Sequence, residues 1–261
     1  MTLIQMNDRL RRRWRWLGLL ILTGCGPRET VIRVAIRDLD GRRAPVAGLP
    51  LVLLPYNRDS ILALLLARGP ARRPETRQLD SLFAIFRTPF IALTRETDRA
   101  RQLRDSLAAL RQRIDAEPRS TRTYRTLYLA YATTVDSLTA VEHRAAEASR
   151  LASAAMKRVG PRIDVLRRAM TRWEDSTFRS YDSVIATLTA RLGRTRLNLV
   201  TGADGRLAKT LPPGPWWVYA RAPDPADPNA AWYWNLPLRG DSFDLDPSSA
   251  EHRPCYTRRC P

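Results

Sequence analysis

The sequence predicts an α+β fold: a small antiparallel β-sandwich split by a long α-helical insertion, either a coiled-coil hairpin or a bundle. Three observations lead there. Apolar residues alternate with a period of two between Thr30 and Tyr56, recur at three- and four-residue steps from Asn57 to Gly193, and return to short alternating runs from Arg194 onward.

The elements follow in order. Thr30 to Arg37 (TVIRVAIR) alternates as a half-buried strand does, Asp38-Leu39-Asp40-Gly41 supplies turn residues, and Val46 to Tyr56 reads as a second strand closed by Pro55. A short helix over Asp59–Arg68 follows the cap-like Asn57 and stops at Gly69-Pro70. A second helix spans Glu75 to Ile114, with Pro89 expected to kink it. A third opens at Ser120-Thr121 on a stripe from Tyr124, Tyr128, Tyr131 and Val135 to Val159, and Gly160-Pro161 is expected to end it. A fourth runs from Arg162 to Leu192. Short β-rich runs then occupy Arg196–Thr201, Arg206–Leu211, Trp216–Ala222 and Trp232–Leu238, and Phe243–Leu245 adds an edge.

The strand segments resemble a known module. TGADGRLAKTLPPGPWWVYARA carries Thr201, Asp204, Gly205, Leu207, Leu211, Pro213, Gly214, Val218 and Ala220, similar to the pattern of carboxypeptidase-regulatory-like, transthyretin-like β-sandwich domains. DLDGRRAPVAGLPLVLLP resembles that module's first hairpin. The resemblance implies a small non-catalytic sandwich built from residues 30–56 and 194–246, and the helical block 57–193 is a large departure from it.

The N-terminus has its own character. Arg9, Arg11, Arg12, Arg13 and Arg15 precede a short apolar run, Leu17 to Leu22, which ends in Leu22-Thr23-Gly24-Cys25. This is a basic region followed by an apolar region too short to span a bilayer, which takes about 20 residues. Leu22–Cys25 resembles the lipobox of bacterial lipoproteins, which implies a signal peptide over 1–24, lipidation (palmitate among the acyl chains) at Cys25, and a linker over 25–29. The alternative is an ordinary signal peptide with an incidental cysteine. Gly26 departs from the inner-membrane retention signal of enteric bacteria, so the expected address is the outer membrane rather than the inner, facing the periplasm or the cell surface.

The other two cysteines, Cys255 and Cys260, fall in the C-terminal tail, 247–261. In an oxidising envelope they are expected to form a disulfide; two sulfurs beside His252 make a poor metal site. Net charge is +18, and removal of 1–24 leaves +14, of which +10 lies in 57–193. Beyond residues 1–24 no arginine-rich block is interleaved with aromatics, so the charge points to an anionic membrane surface rather than to nucleic acid.

The inventory for chemistry is thin. His143 and His252 lie far apart without a nucleophile motif, Glu174, Asp175 and Asp182 read as a polar helix face, and Asp38, Asp40 and Asp204 read as turn formers. The reading is therefore of no catalytic residue, no metal site and no cofactor. The candidate binding patch is aromatic: Trp217, Tyr219, Trp232 and Trp234, on adjacent strands; the resemblance to the transthyretin-like module implies that Trp216, Val218 and Ala220 point inward and Trp217, Tyr219 and Arg221 to the other face. Such a ladder is either open to a sugar, peptide or lipid, or covered by helices that need a surface for their own apolar stripes. The expected function is a membrane-anchored, non-enzymatic structural or interaction module of the cell envelope. The alternatives are an adaptor-like component of an envelope transport complex and a glycan-binding surface module.

Overall fold

A computed structural model describes residues 28–69 and 72–257. Cys25 and Cys260 lie outside these residues, so neither the lipidation nor the terminal disulfide is addressed by it.

The chain is mixed α+β. Strands β1 (Arg28–Arg37), β2 (Arg43–Pro45) and β3 (Pro50–Leu54) lead into four helices, α1 (Arg58–Arg68), α2 (Arg77–Asp115), α3 (Arg122–Thr177) and α4 (Tyr181–Leu192). Strands β4 (Leu197–Val200), β5 (Arg206–Leu211), β6 (Trp217–Asp224), β7 (Asp227–Pro237), β8 (Ser242–Leu245) and β9 (Glu251–Pro254) complete it. In one sheet β1 is the spine, antiparallel to β2 and β5 and parallel to β8. The other sheet is antiparallel in the order β4-β3-β6-β7-β9.

The two sheets share one buried cluster. Ile32, Val34 and Ile36 from β1 and Leu245 from β8 meet Leu51, Leu53, Val218, Ala220, Ala222 and Trp234 from the other sheet. Strand register shows how two indoles fit there: Ala220 pairs with Trp234 and Ala222 with Trp232, so each large ring has a methyl group as its cross-strand neighbour. Trp234 donates from Nε1 to the Asp246 carbonyl at 3.1 Å, and Trp216 to the Pro212 carbonyl at 2.9 Å, so both buried N–H groups are satisfied.

The turn residues act as their chemistry dictates. Asp38 Oδ1 accepts from the Asp40 and Arg42 backbone N–H groups at 3.0 and 2.8 Å, ahead of Gly41 at φ 77°. Thr201 ties the entry to β3, with Oγ1 accepting from Leu49 N at 2.8 Å and donating to the Val46 carbonyl at 2.7 Å. At Gly205, φ is +71° and a Cβ would come within 2.8 Å of the Val34 carbonyl oxygen, so glycine is required twice over.

All four helices lie in the connection between β3 and β4, which are adjacent antiparallel strands with Leu53 opposite Leu197. The chain thus leaves the sheet at one point and returns beside it. Helices α2 and α3 run antiparallel: Leu79, Leu82 and Phe83 pack on Val159 and Ile163, and Ala100 and Leu103 on Val141. Ion pairs Arg144–Glu96 at 3.1 Å and Arg104–Glu142 at 2.7 Å hold the same register.

Three expectations need correction. The expected stop at Gly160-Pro161 does not occur, and α3 continues through it for 56 residues, about 84 Å. Proline removes one helical hydrogen bond at a cost of about 3 kcal/mol, but burying Val159 and Ile163 on either side offsets it, at roughly 1.5–3 kcal/mol per side chain. The break falls instead at Phe178–Ser180, where the Phe178 ring packs edge-on against Trp173 at 5.9 Å. Second, α3 buries Leu127, while Tyr128 from the expected stripe is 56 % exposed. Third, the tail contains β9, which pairs antiparallel to β7. Helix α2 passes Pro89 without interruption. Among the described residues, no helix is long and apolar enough to cross a membrane.

Candidate functional site

The expected aromatic patch is divided by strand pleat. Trp217, Tyr219 and Arg221 do lie on the opposite face of β6 from Val218 and Ala220. Trp232 and Trp234, however, point to the inter-sheet core, and Trp234 is fully buried there, so neither joins Trp217 and Tyr219 in an outer ladder. The physical reason is register: Trp234 sits opposite the inward Ala220, and directly paired residues share a face. The outer ring on β7 is Tyr233, paired with Arg221.

Helices cover part of this outer face. Ile61 and Leu65 of α1 form a cluster with Leu54 and Tyr56, against which Tyr181, Val184, Ile185 and Leu188 of α4 pack together with Trp217 and Tyr219. Asn57 starts α1 by accepting from Asp59 N at 2.9 Å and Ser60 N at 3.3 Å, and it also accepts from Asn235 Nδ2 of β7 at 2.8 Å. The cap therefore fixes the helix to the sheet as well as starting it.

Where α1, α4 and the end of α3 part from β6, β7 and β9, a cleft of about 520 Å³ remains. Its lining combines arginines (Arg58, Arg73, Arg221, Arg253) with tyrosines (Tyr181, Tyr219, Tyr233, Tyr256), and Glu174 and Asp182 complete its charged residues. Three guanidinium groups surround Tyr233. Arg253 lies over its ring at 3.5 Å, Arg221 stands 5.8 Å from its centroid, and Arg58 donates to its hydroxyl at 3.2 Å. Tyr233 in turn donates to the Asp59 carboxylate. Arg58 also lies 4.6 Å over Tyr219, and Arg73 lies 5.6 Å from both Trp173 and Tyr256. Tyr256 is held by its hydroxyl on Asp80 at 2.9 Å and by stacking on Phe83 at 6.3 Å.

The electrostatics favour neutral phenols and charged guanidiniums. Burial first, then the hydrogen bond to Asp59, pushes Tyr233 up to about 12. Burial likewise raises Tyr56 and Tyr256. Burial opposes the charge on Arg58, but the phenols of Tyr219 and Tyr233 more than offset it, so its pKa stands above the ordinary value. At neutral pH the cleft holds protonated guanidiniums against tyrosine faces, and Arg253 is also paired there with Glu251 at 2.6 Å and with Asp59 at 3.6 Å.

The remaining singled-out residues are dispersed. Cys255 is buried and its N–H donates to the Asn229 carbonyl at 2.6 Å. His252 meets Asp224 at 2.7 Å and packs on Trp232 at 5.0 Å, while His143 is exposed on α3. Glu174 and Asp182, expected on one helix, stand on either side of the Phe178–Ser180 break and so face the same cleft. Sequence reasoning gave no binding role to Arg58, Arg73, Arg221 or Arg253, although it placed Arg221 on the outer face with Trp217 and Tyr219. In a chain whose basic residues are nearly all arginine, no local signal distinguishes these four.

At the other extreme of the helical segment, residues 104–140 form the end of the α2–α3 hairpin. Tyr128, Leu129 and Val135 are exposed there, at 56, 68 and 36 %, and Tyr124 stacks on Tyr128 at 6.3 Å. Comparison with known proteins finds no counterpart: no family model, no curated protein and no solved structure matches the chain.

Proposed function

We propose that this protein is a lipid-anchored, non-enzymatic interaction module of the cell envelope: a transthyretin-like β-sandwich, interrupted between two neighbouring strands, that carries a helical arm. The observation that carries the reading is the arm's outer end. Tyr128 and Leu129 leave apolar surface in water on a long antiparallel hairpin, and exposed apolar groups clustered in this way mark contact sites. The basic charge of the helical segment suits an anionic membrane environment. Anchoring rests on Cys25 and its lipobox-like context, with the outer membrane as the proposed address. Replacement of Cys25 by Ser is expected to abolish palmitate labelling and release the protein from membranes; labelling that persists in Cys25→Ser would end the anchoring part of the proposal.

The same hairpin favours a second reading, an adaptor-like component of an envelope transport complex, because such components use a helical tip for docking. Purification of the full-length protein from detergent-solubilised native membranes, with mass spectrometry of co-purifying proteins, separates the two. Recovery of a membrane transporter or channel supports the adaptor, and recovery of other envelope proteins supports the general module.

A further inference from the structure

We propose that the end of the sandwich from which β1 starts is a membrane-docking face, seated through its arginines on an anionic lipid surface. This inference rests on the lipid-anchored reading of Cys25 and adds an orientation to it: which part of the folded chain meets the bilayer.

The first argument is tether length. Gly26 and Pro27 alone separate Cys25 from Arg28, where β1 opens. Three residue steps span at most about 11 Å when fully extended, so acyl chains on Cys25 hold the start of β1 at the headgroup layer. Strand register shows what else lies at that level. Arg28 is opposite Leu211, which leads into the exposed turn 212–215. The Val31 N–H donates to the Asp241 carbonyl at 2.8 Å, which sets the turn 238–241 beside the start of β1. The connection from α4 to β4 completes this end, because Arg194 donates to the Pro215 carbonyl at 3.0 Å and lies 5.4 Å from the Trp216 ring.

The second is the chemistry of these turns. Arg191, Arg194, Arg196 and Arg239 stand there against Glu29 and Asp241. Arg191, Arg196 and Arg239 are exposed, and none of the three forms an ion pair with another described residue. In the turns of the opposite end, Asp38, Asp40, Asp204 and Asp246 accompany Arg42 and Arg43, and Arg43 is paired with Asp246 at 3.9 Å. Among the turns of the sandwich, the surplus of positive charge thus falls at the end that the anchor holds, and a guanidinium fork matches a lipid phosphate. Pro212, Pro213 and Pro215 have no N–H group, so the turn they form enters the headgroup layer with few backbone donors to desolvate.

The third is the place of the helical hairpin. Helix α2 crosses the opposite end: Arg87 pairs with Asp227 at the start of β7, and residues 95–102 face Asp38 and Asp40 across a hollow. The ten residues of β1 put that end about 30 Å from the anchored one. Seating the basic turns on lipid therefore leaves the hairpin joined to the body on the side away from the bilayer.

The test puts photoreactive benzoylphenylalanine in place of Pro213 or, for comparison, in place of Asp40 in the full-length protein, reconstituted into phosphatidylcholine vesicles with or without phosphatidylglycerol. After irradiation, mass spectrometry reads lipid adducts and, from the same digest, the acyl chains on Cys25. Adducts are expected from the probe at Pro213 and not from the probe at Asp40. Their yield is expected to rise about threefold or more with phosphatidylglycerol and to fall by as much in Arg196→Gln combined with Arg239→Gln. Both arginines are exposed, so the double variant is expected to keep the wild-type melting midpoint, and the comparison of the two probe positions needs neither substitution. Acylated Cys25 with no adduct at Pro213, equal adducts at both positions, or a yield indifferent to phosphatidylglycerol overturns the docking face and leaves anchoring standing. Unchanged yield in the folded double variant overturns it as well. Cys25 without acyl chains overturns anchoring and the docking face together.

Discussion

Tyr233→Phe removes one oxygen atom from the centre of the cleft and is expected to change both stability and its dependence on pH. The hydroxyl donates to the Asp59 carboxylate and accepts from Arg58 at 3.2 Å. Hydrogen bonds to charged groups contribute about 1.5–3 kcal/mol. The lower end applies here, because the Asp59 side chain is 35 % exposed and can rehydrate, and Arg253 stands 3.6 Å from it. The expected loss at pH 8 is therefore about 1.5 kcal/mol. The phenol titrates at about 12 when folded and at 10.0 when free, so the folded state holds the proton more tightly. Its contribution is complete below pH 10 and is lost as pH rises through 12, about 1.4 kcal/mol of it by pH 11. Phenylalanine has no proton to lose, so the stability gap between wild type and variant should shrink from about 1.5 kcal/mol at pH 8 to near zero at pH 11. Urea unfolding followed by tryptophan fluorescence at the two pH values measures this directly. A gap that is the same at both would refute the coupling of Tyr233 to Asp59 and to burial.

Other perturbations address the rest of the molecule. Leu79→Ala should cost about 3–4 kcal/mol in urea unfolding, because Leu79 is only 1 % exposed and packs with Val159 and Ile163, the pair that carries α3 past Pro161. Gly205→Ala should lose at least 2 kcal/mol by the same assay, since its Cβ would meet the Val34 carbonyl at 2.8 Å with φ at +71°. Replacing Tyr128 and Leu129 together by Ser should leave unfolding within about 0.5 kcal/mol of wild type, since both are more than half exposed, yet remove any protein that co-purifies through the hairpin end.

Much of the architecture is legible in local pattern. Alternation marks β1, β3 and β6, and the placing that the module's pattern implies, Val218 and Ala220 inward with Trp217 and Tyr219 on the other face, agrees with the structure because a strand's pleat is a local property. The helical block, its start at Asn57 and the turns at Gly41 and Gly205 follow from residue chemistry within a few positions. The lipobox-like stretch is also a purely local signal, and it lies outside the described residues.

What remained hidden depends on residues distant in the chain. Whether Gly160-Pro161 ends a helix is decided by the packing of Val159 and Ile163 on Leu79 and Phe83, some eighty positions earlier, and burial there outweighs the proline. Which face Trp234 takes depends on its register with Ala220, because a shift of one residue would reverse it. Arg58, Arg73, Arg221 and Arg253 come from four separate parts of the sequence, and only the return of the helices to the strand beside which they left gathers them around Tyr233 and Tyr256. The sequence by itself determined the kinds of elements and their order, since these depend on near neighbours. Tertiary structure alone decided the cleft, since a site made by convergence has no signature until the chain is folded.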